Sequence, residues 1–138
     1  MDSIGKKIDA FLSASAFAVV GASDRPHKYG YRCYVCYLQN GRKAYPVNPR
    51  LKTIRGNNVY PDLTSLPEKI ESVSIITPPS VTESVVEEAI QAGVKNLWMQ
   101  PGAESIAAVE KADKAGINVI HGGPCLLVTL GYHEAQPE

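Results

Sequence analysis

A chain of 138 residues leaves room for one domain of ordinary size, and such a chain can bury about two-thirds of its unfolded surface. Hydrophobic residues make up 44% and charged residues 20%, which excludes disorder as the main state. No apolar run approaches the ~18 residues of a membrane helix, the first fifteen residues lack the pattern of a secretory signal, and three cysteines are too few and too odd for a disulfide framework. The expected compartment is therefore a reducing cytoplasm.

The 14 basic and 14 acidic residues cancel, but they are unevenly spread. Arg25, Lys28, Arg32, Arg42, Lys43, Arg50, Lys52 and Arg55 fall in a stretch with no Asp or Glu. The rest of the chain holds 6 basic and 14 acidic residues. Such a bipolar chain can attract anions, or the basic stretch can be only a solvated face.

Residues 3–14 place Ile4, Ile8, Phe11 and Leu12 on one helical face, with Asp2 or Ser3 as the cap. The apolar run Phe17–Val20 ends at Gly21 and reads as a strand buried on both faces. After a polar loop, a helix over Tyr29–Asn40 puts Tyr31, Tyr34, Val35 and Leu38 on one face, with Gly41 as its stop. Lys43–Val47 is a strand broken by Asn48-Pro49. Residues 51–68 are loop-rich, with a short edge strand at Asn58–Tyr60.

Ser72–Thr77 is a strand stopped by Pro78-Pro79, and Ser80-Val81-Thr82-Glu83 reads as a capping box. The helix that follows points Val81, Val85, Ala89 and Ile90 inward and ends at Gly93. Asn96–Met99 is a strand, and Glu104–Ala115 a helix with Ile106, Val109 and Ala112 on its buried face. Ile117–His121 is the last strand, before a short segment at Cys125–Leu130 and a frayed tail from Tyr132. Strands alternating with helices imply an α/β domain with a doubly wound, mostly parallel sheet. The Phe17 strand should be central, and the binding crevice should lie at the carboxyl ends of the strands.

Those ends deliver Gly21-Ala22-Ser23-Asp24-Arg25, then Val47-Asn48-Pro49-Arg50, Thr77-Pro78-Pro79, Gln100-Pro101-Gly102 and His121-Gly122-Gly123-Pro124-Cys125. Gly21 would let the backbone approach a ligand, and the next helix aims amides at the same spot. The dinucleotide fingerprint is incomplete, because Ser23 and Pro26 stand where two of its glycines belong. The second strand ends in Asn48 and Arg50 rather than an acid, which disfavours NAD. Arg50 suits a phosphorylated ribose, as in NADP or coenzyme A, through bidentate charge-assisted bonds. Gly21 is equally consistent with a tight turn and no ligand.

Gly21-Ala22-Ser23, Pro46-Val47-Asn48-Pro49, Thr77-Pro78-Pro79, Trp98-Met99-Gln100-Pro101-Gly102 and Pro124-Cys125 resemble, in order and spacing, the small stand-alone CoA-binding proteins. These are similar to the CoA-binding domain of the succinyl-CoA synthetase α subunit. The resemblance covers about residues 12–130 and implies a single Rossmann-like domain holding coenzyme A or an acyl-CoA. It implies phosphate contacts from the loop Ser23, Asp24, Arg25 and Pro26 with Lys28 beside it. It further implies a grip on the phosphorylated adenosine by Asn48, Pro49 and Arg50, with Thr77, Pro78 and Pro79 walling the adenine side. Gln100, Pro101 and Gly102 would border the pantetheine path, with Cys125 near its end. The synthetase also needs a domain carrying a phosphorylated histidine, and His121, at a strand end, does not replace it. The expectation is binding without catalysis by this chain alone. The alternatives are an NADP-dependent oxidoreductase or a partner subunit of an acyl-CoA ligase or transferase. Nucleic acid is disfavoured because the tyrosines form no stacking ladder, and no membrane partner is expected.

Cys33-x-x-Cys36 sits inside a predicted helix, so burial competes with a redox role. Cys33, Cys36, Cys125 and His121 have zinc-ligand chemistry without the paired short spacings of a structural site. Cys125 could exchange with a bound thiol or serve as a small buried residue. His27, His121 and His133 form no recognisable catalytic set, and Trp98 is expected to pack on a strand face.

Overall fold

The computed structural model describes residues 3–134. Among them the order is α1 (Ile4–Leu12), β1 (Ala16–Val20), α2 (Tyr29–Gln39), β2 (Lys43–Val47), β3 (Thr53–Ile54), β4 (Asn57–Asn58), a 3-10 turn (Leu63–Ser65), β5 (Ser72–Ile75), α3 (Pro79–Gln91), β6 (Asn96–Met99), α4 (Ile106–Lys114), β7 (Asn118–Ile120) and a π turn (Leu127–Gly131). Five strands form a parallel sheet in the order β2-β1-β5-β6-β7. The fold is the doubly wound α/β architecture expected. β1 is interior, but the middle strand is β5.

Strand alternation separates two cores. Ala16, Ala18 and Val20 point to the layer of α3 and α4, packing with Val85, Val86, Ala89, Ala108 and Ala112. Phe17 and Val19 point to the layer of α1 and α2, packing with Phe11, Cys33, Tyr37, Trp98 and Leu126. The second core is aromatic: Phe17 stacks on Tyr37 with ring centroids 4.7 Å apart, and Trp98 meets Phe11 edge-on at 5.3 Å. Trp98 is fully buried on its strand face, as expected, and donates its indole N–H to the Pro124 carbonyl at 3.0 Å. At the amino end of the sheet, Ser72, Asn96 and Asn118 share one register and bond side by side. Ser72 also donates to the Phe11 carbonyl, and Asn118 to the Lys7 carbonyl, which ties α1 down.

Several expectations need correction. The α1 cap is not among them: Ser3, one of the two residues expected there, accepts from the Lys6 amide, and Asp2 lies outside the described residues. The Ser80–Glu83 capping box does not form, because α3 already starts at Pro79, with Pro78 as its N-cap. Proline suits a first helical position, where it has no amide to satisfy. The buried face of α3 is then Thr82, Val85, Val86 and Ala89, with Val81 exposed. Thr82 tolerates burial because its hydroxyl pairs with Thr77 at 2.7 Å. Leu38 and Ile106 are exposed as well, since α2 buries Cys33, Cys36 and Tyr37 and α4 buries Ala108 and Ala112.

The predicted edge strand at Asn58–Tyr60 is replaced by a hairpin, β3–β4, turned at Arg55 and Gly56 with positive φ. Tyr60 alone bridges to Val47 on the edge of β2. The tail is not frayed at its start: Tyr132 packs on the aromatic core, and Gln39 exchanges two hydrogen bonds with the His133 backbone. Residues 135–138 lie outside the described part. No helix among the described residues is long and apolar enough to cross a membrane.

Candidate functional site

From β1 the chain crosses one way to β2 and the other way to β5, so the winding reverses between β1 and β5. A cleft of about 520 Å³ opens at their carboxyl ends. Gly21, Asn48, Pro49, Arg50, Thr77 and Pro78 line it, as the sequence predicted. Pro61, Asp62, Val81, Ser84 and Glu88 line it too and were missed, because loop 59–62 and the outer face of α3 arrive from distant sequence.

Gly21 is required by the chain's own backbone. Its φ is +94°, and a Cβ there would lie 1.9 Å from the Ile76 carbonyl oxygen. The turn after β1 therefore wraps against the end of β5. Gly21 N–H donates to Val47 at 3.1 Å, and Ile76 N–H to Val20 at 2.8 Å, so three strand ends are stitched together there. Asn48 fastens the loops: its Nδ2 donates to the Ala22 carbonyl at 2.8 Å, and its Oδ1 accepts the Arg50 amide at 2.8 Å. That leaves Arg50 at the exposed rim.

The electrostatics follow from the helix caps. Ser3 caps α1, Ser105 caps α4 and Asp62 caps the 3-10 turn, each through a side-chain oxygen. α2 and α3 begin at Lys28 and Pro78, which make no such bond. Both uncapped ends border the cleft: Pro78 lines it, and Gly30, in the first turn of α2, packs on Gly21. Their amides and positive dipole ends favour an anion there. The two carboxylates of the cleft are engaged by the 3-10 turn. Asp62 accepts from Thr64 and Ser65 at 2.9 Å, bonds that hold its pKa below the usual carboxylate value, and Glu88 accepts the Leu63 amide.

The basic stretch does not converge as a whole. Arg50 is its one member lining the cleft. Arg42 bonds the Leu12 carbonyl and covers the Phe17 ring, and Lys43 pairs with Glu68, both near the amino end of β2. Arg55 donates to the Tyr31 hydroxyl. Arg32 bonds the His27 carbonyl.

The remaining predicted residues fall in two places. Ser23, Asp24, Arg25, Pro26 and Lys28 cross from Ala22 to α2; Ser23 Oγ accepts the Arg25 amide at 3.1 Å. Pro79 is the first residue of α3. Gln100, Pro101, Gly102 and Cys125 form a second cluster beyond α2, at the ends of β6 and β7. There the Tyr29 hydroxyl donates to Gln100 Oε1 at 3.0 Å and contacts Cys125 Sγ, while Leu126 N–H donates to the same oxygen at 2.9 Å. Glu104 accepts from both Gly102 and Gly122 and so braces the two rim loops. Tyr29 and Gly30 were missed; a glycine one residue into a helix was the available signal of close packing.

Cys33 and Cys36 are buried in α2, and desolvation raises both thiols, Cys36 to about 11. That opposes a thiolate-based redox role.

Residues 15–131 match the CoA-binding domain family. The chain is 27% identical over 137 residues to the α subunit of an ADP-forming acetate–CoA ligase II from Pyrococcus furiosus, covering 91% of this chain and 30% of that subunit. It thus spans under a third of that relative's length. A hypothetical protein from Pyrococcus horikoshii superposes with a TM-score of 0.85 at 30% identity, covering 92% of this chain and 89% of the other. A conserved hypothetical protein from Pyrococcus furiosus superposes with a TM-score of 0.78 at 38% identity, covering 83% and 97%. On sequence and fold together, the chain belongs to the CoA-binding domain family, related to the α subunits of ADP-forming acetate–CoA ligases.

Proposed function

We propose that the chain binds coenzyme A or an acyl-CoA in the cleft between the ends of β1 and β5. The observation that carries this is the pairing of two uncapped helix ends with Arg50 on the rim. The amides at the start of α2 and α3 suit the pyrophosphate, and the Ser23–Lys28 loop closes over it. Arg50, anchored by Asn48, takes the 3′-phosphate of the ribose. Thr77, Pro78 and Pro79 border the adenine. The pantetheine arm runs past Tyr29 toward Gln100, Pro101, Gly102 and Cys125.

The chain acts as a binding module in the cytoplasm, without ligase chemistry of its own. A second reading, a subunit that presents the coenzyme to a separate catalytic partner, is favoured by the likeness to a ligase α subunit. An NADP-dependent oxidoreductase is the competing reading for Arg50.

Thermal unfolding with CoA, dephospho-CoA, NADP, NAD and single-stranded DNA separates these. A ligand at 100 times its Kd adds about 2.7 kcal/mol, a shift of a few degrees. CoA gives the largest shift. A larger shift with NADP or with DNA overturns the reading.

A further inference from the structure

Three thiols lie near one another behind the start of α2, and they are not equivalent. Cys33 and Cys36 are buried, and burial keeps them protonated. Cys125 is partly exposed and touches the Tyr29 hydroxyl. Its approach is bare: Gly122 and Gly123 precede it with positive φ, and a Cβ on either would meet nothing within 4 Å. The loop is held from below by Trp98 through the Pro124 carbonyl and from the side by Glu104 through Gly122.

A second observation marks this place as incomplete. Gln100 is fully buried and its Oε1 is used twice, by Tyr29 and by Leu126, yet its Nε2 has no partner. A sealed amide donor without an acceptor is costly and uncommon. An arm that carries amide carbonyls past Tyr29 supplies the missing acceptor. Tyr29 also links the two clusters, because its neighbour Gly30 packs on Gly21 at the cleft.

We propose that Cys125 captures the thiol end of the bound coenzyme as a mixed disulfide, by exchange with the coenzyme's symmetric disulfide. This rests on the binding reading above and deepens it. The Cys125 thiolate attacks one sulfur of the disulfide. A bond forms between Sγ and that sulfur, the original S–S bond breaks, and the second coenzyme leaves as a thiolate that takes a proton from water. One disulfide replaces another, so no further oxidant is needed. Tyr29 assists by position: its one proton goes to Gln100 Oε1, so its oxygen faces Cys125 and holds the sulfur beside the path of the arm. With Cys33 and Cys36 held as thiols inside α2, the adduct persists until an outside thiol reduces it.

The test treats the full chain with CoA disulfide or with oxidised glutathione and follows intact mass, with peptide mapping of the product. One CoA appears on Cys125, a reductant removes it, and it forms about tenfold or more faster than the glutathione adduct, because prior binding raises the local concentration. Cys125→Ser forms no adduct; should that variant not fold, the peptide map of the unaltered chain decides. If CoA shifts the thermal transition but no adduct forms, the exchange proposal is overturned and the binding reading stands. An adduct on Cys33 or Cys36, or equal rates from the two disulfides, overturns it as well. No thermal shift with CoA overturns the binding reading itself.

Discussion

Gly30 rests directly on Gly21: a Cβ added at Gly30 would lie 2.0 Å from the Gly21 carbonyl oxygen. This contact seats the first turn of α2 against the end of β1 and brings its free amides to the cleft. Two glycines nine positions apart thus do the packing that closer glycines do in the dinucleotide fingerprint.

The contact predicts an inverted helix-propensity effect. Glycine to alanine in an open helix position stabilises by about 0.5–1 kcal/mol. Gly5, in α1, has only the Ser3 hydroxyl within 4 Å, so Gly5→Ala is neutral to stabilising. Gly30→Ala instead costs about 1–3 kcal/mol, because backbone must move. Urea unfolding of the two variants, with unchanged m-values, gives opposite signs.

Asn48 both donates to Ala22 and accepts from Arg50. Asn48→Asp keeps the acceptor, loses the donor and adds a negative charge beside Arg50. It lowers stability by about 1 kcal/mol. It also weakens CoA more than dephospho-CoA, because the new charge repels the extra phosphate. Isothermal titration with both ligands reads the difference.

Alkaline pH destabilises the chain through its buried thiols and phenols. The Cys36 thiol is raised from 9.0 to about 11, chiefly by burial, and the same cause raises Cys33 and Tyr37 well above their ordinary values. The folded state thus holds these protons more tightly than the unfolded state. Their contribution is complete below pH 9 and is lost progressively as pH rises through 11. Unfolding free energy measured across that window falls, and Cys33→Ala with Cys36→Ala flattens the fall. Thiol labelling at neutral pH modifies Cys125 first.

Much of this was readable from sequence because the strands are short apolar runs with sharp stops. Lys43–Val47 and Asn96–Met99 have the bounds expected of them. The ends of β1, β2 and β5 meet at the cleft because the three strands are parallel neighbours in the sheet. What failed was decided by distant contacts. Thr82 turned inward because Thr77 satisfies its hydroxyl, which rotated Val81 out toward the cleft. The Arg55–Gly56 turn lacks the usual Asn-Gly signal, so the β3–β4 hairpin was invisible, although its Ile54 is buried against α2. The basic residues do not all converge: Arg42 precedes β2 and Lys43 opens it, so strand direction alone assigns them to the opposite end of the sheet.

The central claim is that Arg50 grips a phosphate on the ribose. Isothermal titration of CoA and dephospho-CoA against the parent chain and Arg50→Ala measures that contact as a cycle. The parent prefers CoA by about tenfold or more, worth roughly 1.5–3 kcal/mol, and the preference collapses in Arg50→Ala. Equal affinities in the parent, or a preference that survives the substitution, would contradict it.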